Sequence, residues 1–385
     1  MALSTNVNTL IAKLSSDSAE ERVSAYYKLL NVGIKVVPFL FEIDNESPSL
    51  SRFRRRILHE LGGPSTKEIN KLIKRQIELE SFTVFDSIKF LIAIQELSSL
   101  KTNSEESQRL LFKLIDSPPI VNNIFFIEDS SDTLKSTKII DQFKLVEGVL
   151  GTIFHLQVKN KNRIIILSGL LDSLISKNAS EIKNLLISEP YDLYARIVIG
   201  VILALGAISG PKDSNAIEQL THISETHNDE LTQFGAKCAL LNILGNQCQY
   251  SDDITSHVLI KKNSQSYDTS YRIGIDIVAI TNTIEPSQLA KLHIFDDINW
   301  PGRHYVLKSL DNYDTNENIL NILLNCILDH DIFVSEYAIS RIGDLRQHAK
   351  SLAPKILNHI QKVKANDIKQ KQMNLLEETL LLIDS

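Results

Sequence analysis

Apolar positions recur at helical spacing along nearly the whole chain, and short polar breaks punctuate them. In the first unit, Val23, Tyr26, Tyr27 and Leu30 form one stripe over 19–30. Ser18 precedes it and Glu21 follows three residues later, the pattern of a capping box, and Gly33 reads as the stop. A shorter helix over 34–43, interrupted by Pro38, leads to a polar break at 44–49. Next, Phe53, Ile57 and Leu61 are spaced by four, and Gly62-Gly63-Pro64 ends that helix. Thr66 is the expected cap of its partner, whose buried stripe is Ile69, Leu72, Ile73 and Ile77. A third pair runs over 84–97 and 105–115 and closes at Ser117-Pro118-Pro119.

The pattern then weakens. Asn122-Asn123 and the polar string 129–132 predict an irregular insertion over 118–138. Periodicity returns at Ile139 and reaches about Ile187. A strong apolar unit over 193–205 ends at Gly206, with Gly210-Pro211 behind it. Asp213-Ser214 is the expected cap of 216–225, and the next helix runs from Asp229 to Leu244-Gly245. After a polar stretch over 246–270, broken by apolar 254–260, helices are predicted over 271–280, 302–310, 319–328, 333–342 and 350–360. The amphipathic segment 367–383 suits a capping helix.

Four helices share one ending: Leu61-Gly62, Leu205-Gly206, Leu244-Gly245 and Ile342-Gly343. Gly206 and Gly245 are 39 residues apart, within the roughly 40-residue class of two-helix repeats. Two antiparallel helices cannot cover their own apolar stripes, whereas stacking on the next pair does so. The expected fold is therefore all-α, a right-handed α-solenoid of antiparallel helix pairs. The expected organisation is N-terminal repeats over 1–117, the insertion 118–138, and C-terminal repeats over 139–385 capped by 367–383.

Composition narrows the classes. An apolar share of 43% over 385 residues is too high for a disordered chain, and 14 Gly with 10 Pro is too few for a turn-rich all-β fold. A net charge of −6 argues against a protein that coats nucleic acid with its whole surface. The three cysteines, Cys238, Cys248 and Cys326, form no CxxC pair, which suits a reducing compartment, and Cys238 and Cys326 sit in apolar helical runs as small buried hydrophobes. The first residues carry no basic and apolar signal pattern. The longest apolar run, 197–208, falls short of the ~20 residues of a membrane span and reads as a helix buried on all sides. A cytoplasmic protein without a membrane partner is expected.

The residues Asp331-Ile332-Phe333-Val334-Ser335-Glu336-Tyr337-Ala338-Ile339-Ser340-Arg341-Ile342-Gly343, and the segment 191–206, resemble the HEAT-repeat family, a HEAT-like or armadillo-type helical repeat. Arg22, Ala25 and Gly33 look similar in the first unit. The resemblance covers about two thirds of the chain, with gaps at 120–138 and 246–270. It implies an α-solenoid used as a binding scaffold, but no particular partner, because the fold hosts many functions.

Candidate chemistry is sparse. HEAT-like di-iron hydroxylases carry several His-Glu pairs, and this chain has only His59-Glu60. His222, Glu225 and His227 lie near one helix end without the HExxH spacing that holds zinc. Asp329-His330-Asp331 reads as an inter-helix turn in which an Asp caps the next helix. GxSxG, Walker A and GxGxxG motifs are absent. No catalytic residue, cofactor or metal ligand is therefore assigned.

The strongest functional signal is charge. Residues 50–80 hold eight basic side chains (Arg52, Arg54, Arg55, Arg56, Lys67, Lys71, Lys74 and Arg75) against the four acids Glu60, Glu68, Glu78 and Glu80. With Phe53, Ile57 and Leu61 facing the core, Arg52, Arg55 and Arg56 are expected to turn away from it. Lys67, Lys71 and Lys74 share the face opposite Ile69 and Ile73, so two helices are expected to offer one cationic surface. Trp300, the single tryptophan, begins a helix and is the other candidate contact. The function expected is a non-catalytic scaffold that binds a protein or peptide partner, acidic in character, on a concave helix layer. The second reading is a nucleic-acid-binding module similar to the HEAT-like DNA glycosylases. The third is an enzyme similar to the HEAT-like bilin lyases.

Overall fold

Of the stripe expected over 19–30, Val23 and Tyr26 are buried, whereas Tyr27 and Leu30 are half-buried and Ala25 and Leu29 take the inner positions. Ser18 caps the helix by accepting the Glu21 N–H at 3.3 Å. Only half of the capping box forms, because the Glu21 carboxylate accepts the Ser16 hydroxyl at 2.6 Å instead. The structure, a computed structural model, describes residues 2–41, 47–77, 91–94, 96–97, 100, 104–115, 133–157, 159–175, 193–259, 269–291, 300–313, 315–327, 329, 331–364 and 370–384. Among these residues every regular element is helical and no strand occurs, so the chain is all-α.

The chain begins with α1 (Ala2–Lys13), α2 (Ala19–Val32), the short α3 (Val37–Leu40) and α4 (Pro48–Leu61). There follow α5 (Gly63–Ile77), α6 (Glu105–Ile115), α7 (Thr133–Leu156), α8 (Lys161–Ile175), α9 (Leu193–Ile208), α10 (Ser214–Thr226) and α11 (Glu230–Leu244). The last part holds α12 (Ser251–Leu259), α13 (Thr269–Ile280), α14 (Pro286–Ala290), α15 (Trp300–Ser309), α16 (Glu317–Cys326) and α17 (Ile332–Leu345). A 3-10 helix, Arg346–Leu352, then leads into α18 (Ala353–Lys364) and α19 (Gln370–Asp384). The helix α7 starts at Thr133, inside the segment expected to be irregular; the rest of that insertion, 118–132, lies outside the described residues, as do 84–90 of the third expected pair.

Two compact units emerge. A terminal unit joins 1–60 to 252–385, and a central unit spans 61–251, so the grouping crosses the boundaries expected at 117 and 139. In the terminal unit α13, α15, α17, α19 and α2 pack one upon the next, with α14 and α16 alongside. The row thus passes from the last helix of the chain to its second. In α19 Met373, Leu375, Leu376, Leu382 and Ile383 are buried, and the helix packs on α17, α18 and α2. The segment expected as an end cap is therefore an interior member of the row.

In the central unit α7, α9 and α11 pack in order, with α8 and α10 in contact beside them. The apolar run of α9 is buried from Ile197 to Ile208 apart from the half-buried Gly200, as the sequence suggested. Each fully buried Ile, Val or Leu there contributes about 1.5–3 kcal/mol. Among the described residues no helix is long and apolar enough to cross a membrane.

The four glycine endings separate into two kinds. Gly62 and Gly245 have φ of +56° and +55° and end their helices in the left-handed region that favours glycine. Gly206 and Gly343 are not stops, because α9 continues to Ile208 and α17 to Leu345. A Cβ on Gly206 would sit 2.8 Å from Ala239 Cα, where α9 crosses α11. A Cβ on Gly343 would lie 3.0 Å from Arg56 Nη2 and 3.2 Å from Thr379 Oγ1. At Gly206 the neighbouring backbone passes too close for a side chain, and at Gly343 a Cβ would require the Arg56 or Thr379 side chain to give by a few tenths of an ångström.

Candidate functional site

The expected cationic residues are divided by the fold. Arg52, Arg55 and Arg56 sit on α4 in the terminal unit, and Lys67, Lys71, Lys74 and Arg75 on α5 in the central unit. On α5 the apolar stripe sets the orientation. Ile69 and Ile73 are fully buried together with Ser65, Thr66 and Asn70, and the Asn70 side-chain oxygen accepts the Ser107 hydroxyl of α6 at 3.0 Å. Lys67, Lys71, Lys74 and Arg75 are consequently exposed. Lys71 pairs with Glu68 at 2.5 Å in solvent, a contact of at most about 0.5 kcal/mol. Thr66 is not the cap expected of it; the helix starts at Gly63, and the Gly62 carbonyl accepts the Ser65 N–H.

On α4 the expectation for Arg52 and Arg56 is corrected. Arg55 is exposed, but Arg56 is 5% exposed and points inward. Its Nη1 donates to Glu378 Oε1 at 2.8 Å, its Nε to Asp344 Oδ1 at 2.5 Å, and its Nη2 to the Ser340 carbonyl at 3.2 Å. Arg22 of α2 donates from Nε to the other Glu378 oxygen at 2.9 Å and from Nη1 to the carbonyls of Ser16 and Asp17 at 2.7 and 3.0 Å. Arg52 Nη2 approaches the same oxygen at 3.6 Å. Three arginines from α2 and α4 thus surround one carboxylate of α19, whose side chain is fully buried.

The electrostatics follow from that enclosure. Burial alone would raise the Glu378 carboxyl, but the Arg56, Arg52 and Arg22 charges outweigh it and hold it below the usual carboxylate range. Burial would lower the Arg56 guanidinium, and Asp344 with Glu378 raises it instead. Arg52 is lowered, because its burial exceeds the attraction of Glu378. This cluster holds helices together, since its cations are committed to a partner within the unit. The sequence did contain a signal in Arg22, but its counter-ion lies 356 residues away.

A second buried pair was also missed. Arg303, 1% exposed, grips Asp329 with two hydrogen bonds of 2.8 and 2.9 Å. Asp331 accepts the Phe333 N–H at 2.8 Å, the capping role foreseen for that turn. Trp300 begins α15 as expected, and its side chain lies outside the described residues.

The other candidate groups have local roles. Glu225 accepts the Tyr250 hydroxyl at 3.2 Å, and His227 Nδ1 accepts the Asp229 N–H at 3.1 Å. Among the described residues no group of three or more His, Cys, Asp or Glu could hold a metal ion. Cys238, Cys248 and Cys326 are buried and free, and burial pushes all three thiols up, Cys326 to about 12. A cavity of about 290 Å³ between α1 and α2 is walled by Lys13, Glu20, Glu21 and Lys28, unlike the apolar lining usual for a small-molecule site.

No protein-family model matches the sequence, and no curated protein matches it. Among solved structures, the crystal structure of an engineered protein aligns over 99% of this chain and 99% of its own, at 13% identity and a TM-score of 0.32.

Proposed function

We propose that the chain is a non-catalytic helical-repeat scaffold whose helix pairs stack in the manner of a HEAT-like α-solenoid and which binds an acidic protein or peptide. The observation that carries the reading is the exposed stripe Lys67, Lys71 and Lys74 with Arg75 on α5, its opposite face anchored by Ile69 and Ile73. A stripe at i, i+4 and i+7 sets cations about 5–6 Å apart, a spacing that follows carboxylates along an extended or helical partner. The row α13, α15, α17, α19 and α2 supports the stacking, since each helix covers the flank of the one before. In such a stack one helix layer is concave and offers a long surface.

Affinity capture compares the wild type with Lys67→Glu, Lys71→Glu, Lys74→Glu. These side chains are exposed, so the variant keeps its melting temperature within a few degrees and loses the acidic partner. Partners captured equally by both proteins refute the reading. The same pair tested on duplex DNA separates the nucleic-acid alternative. A shift that weakens steeply as salt rises and vanishes in the variant assigns the stripe to phosphates.

A further inference from the structure

We propose that the 3-10 helix Arg346–Leu352 and α18 form a face that lies on an anionic lipid surface. The nineteen residues 346–364 hold Arg346, Lys350, Lys355, Lys362 and Lys364 and no Asp or Glu. That is +5 in a chain of −6, leaving −11 on the rest. It is a steeper local excess than the one in 50–80, where eight cations are offset by four acids.

The packing decides which side is outward. Ala349, Leu352 and Ile356 are buried, and these elements contact α17 and α19. His348, Lys350, Ser351, Lys355 and Asn358 are exposed on the other side. Leu357 of α18 is exposed at 49%, and α19, against which α18 packs, exposes Leu381 at 38%. Aliphatic side chains left in water on elements rich in lysine are the composition of an interfacial helix: the cations meet anionic headgroups and the leucines enter the headgroup–acyl boundary. Such a helix lies on the bilayer and does not span it.

The pairing of lysines with exposed leucines favours lipid over an acidic protein segment. Four of the five cations are lysine, a compact point charge suited to diffuse attraction by a charged plane. An acidic segment would meet the lysines but leave Leu357 and Leu381 in water, whereas the headgroup–acyl boundary takes both kinds of side chain.

Sedimentation of the full chain with vesicles tests the proposal. One set is phosphatidylcholine alone, and the other contains roughly one third phosphatidylserine. The chain is expected to pellet with the second set only. Lys350→Glu, Lys355→Glu is expected to lower partitioning at least about 25-fold, at about fivefold per removed cation. Leu357→Ser should lower it several-fold, and the Lys67, Lys71, Lys74 variant should leave it unchanged, which separates this face from α5. No sedimentation with phosphatidylserine vesicles at low salt overturns the proposal. So does sedimentation that Lys350→Glu, Lys355→Glu leaves intact. Binding of a polyglutamate peptide without vesicle binding also overturns it and assigns the face to an acidic protein.

Discussion

Removing the charge of Glu378 is the sharpest test of how the terminal unit is held. Glu378→Gln keeps the side-chain shape while placing an amide where Arg22 Nε, Arg56 Nη1 and Arg52 Nη2 converge at 2.9, 2.8 and 3.6 Å. One Gln oxygen can still accept, but the amide nitrogen faces a guanidinium donor. Breaking a buried ion pair from one side costs about 3–5 kcal/mol. The lower end applies, because Arg56 retains Asp344 and Arg22 retains the carbonyls of Ser16 and Asp17. The expected loss is therefore about 3 kcal/mol at neutral pH. It should appear as faster hydrogen exchange in α19 and in the facing part of α2, with the central unit unchanged.

The pH dependence carries an independent sign. The folded carboxyl of Glu378 is depressed, so its stabilisation is fully present above the unfolded value near 4.5 and is lost as pH falls through the folded value. The wild type should lose α19 protection below about pH 4.5, and Glu378→Gln should lack that part of the acid limb. A variant within about 0.5 kcal/mol of wild type at neutral pH, with an unchanged acid limb, would refute the reasoning.

Further outcomes follow from the packing. Gly206→Ala forces α9 away from Ala239 and should destabilise the central unit by about 1–3 kcal/mol in chemical denaturation, a cost of overpacking. Gly245→Ala meets no neighbouring atom and should cost only the backbone strain of φ +55° with ψ −135°, about 1–3 kcal/mol. Asp329→Asn leaves the buried Arg303 with a neutral partner and should lower the stability of the terminal unit by about 3 kcal/mol. All three cysteines should resist a thiol reagent at neutral pH in the native protein and react together once it is denatured.

Local periodicity determined most of the helices, because an apolar stripe at a 3.6-residue repeat has one way to be covered, but α1 was not among those expected, although Val7 and Ile11 bury at helical spacing. The caps Ser18 and Asp331 were readable for the same reason, each acting on a backbone N–H two or three residues away, whereas Asp213, expected to cap 216–225, accepts the Gly210 N–H instead and makes no side-chain capping bond. The buried run of α9 and the placement of Cys238 and Cys326 were likewise legible from apolar neighbours alone. Of the candidate binding residues, Lys67, Lys71 and Lys74 could be oriented from Ile69 and Ile73, since one helix with one buried stripe leaves one outer face.

Only the tertiary structure separated Gly62 and Gly245 from Gly206 and Gly343, because a helix stop and a close helix crossing both call for a missing side chain. Only it turned Arg56 inward. A guanidinium on the flank of a stripe goes to water unless a carboxylate waits inside, and that carboxylate, Glu378, is supplied by the far end of the chain. Charge and periodicity are local properties of a sequence. Which two distant segments share a low-dielectric interior is not, and that choice made α19 part of the core beside α2 and Arg56 an internal tie rather than a surface contact.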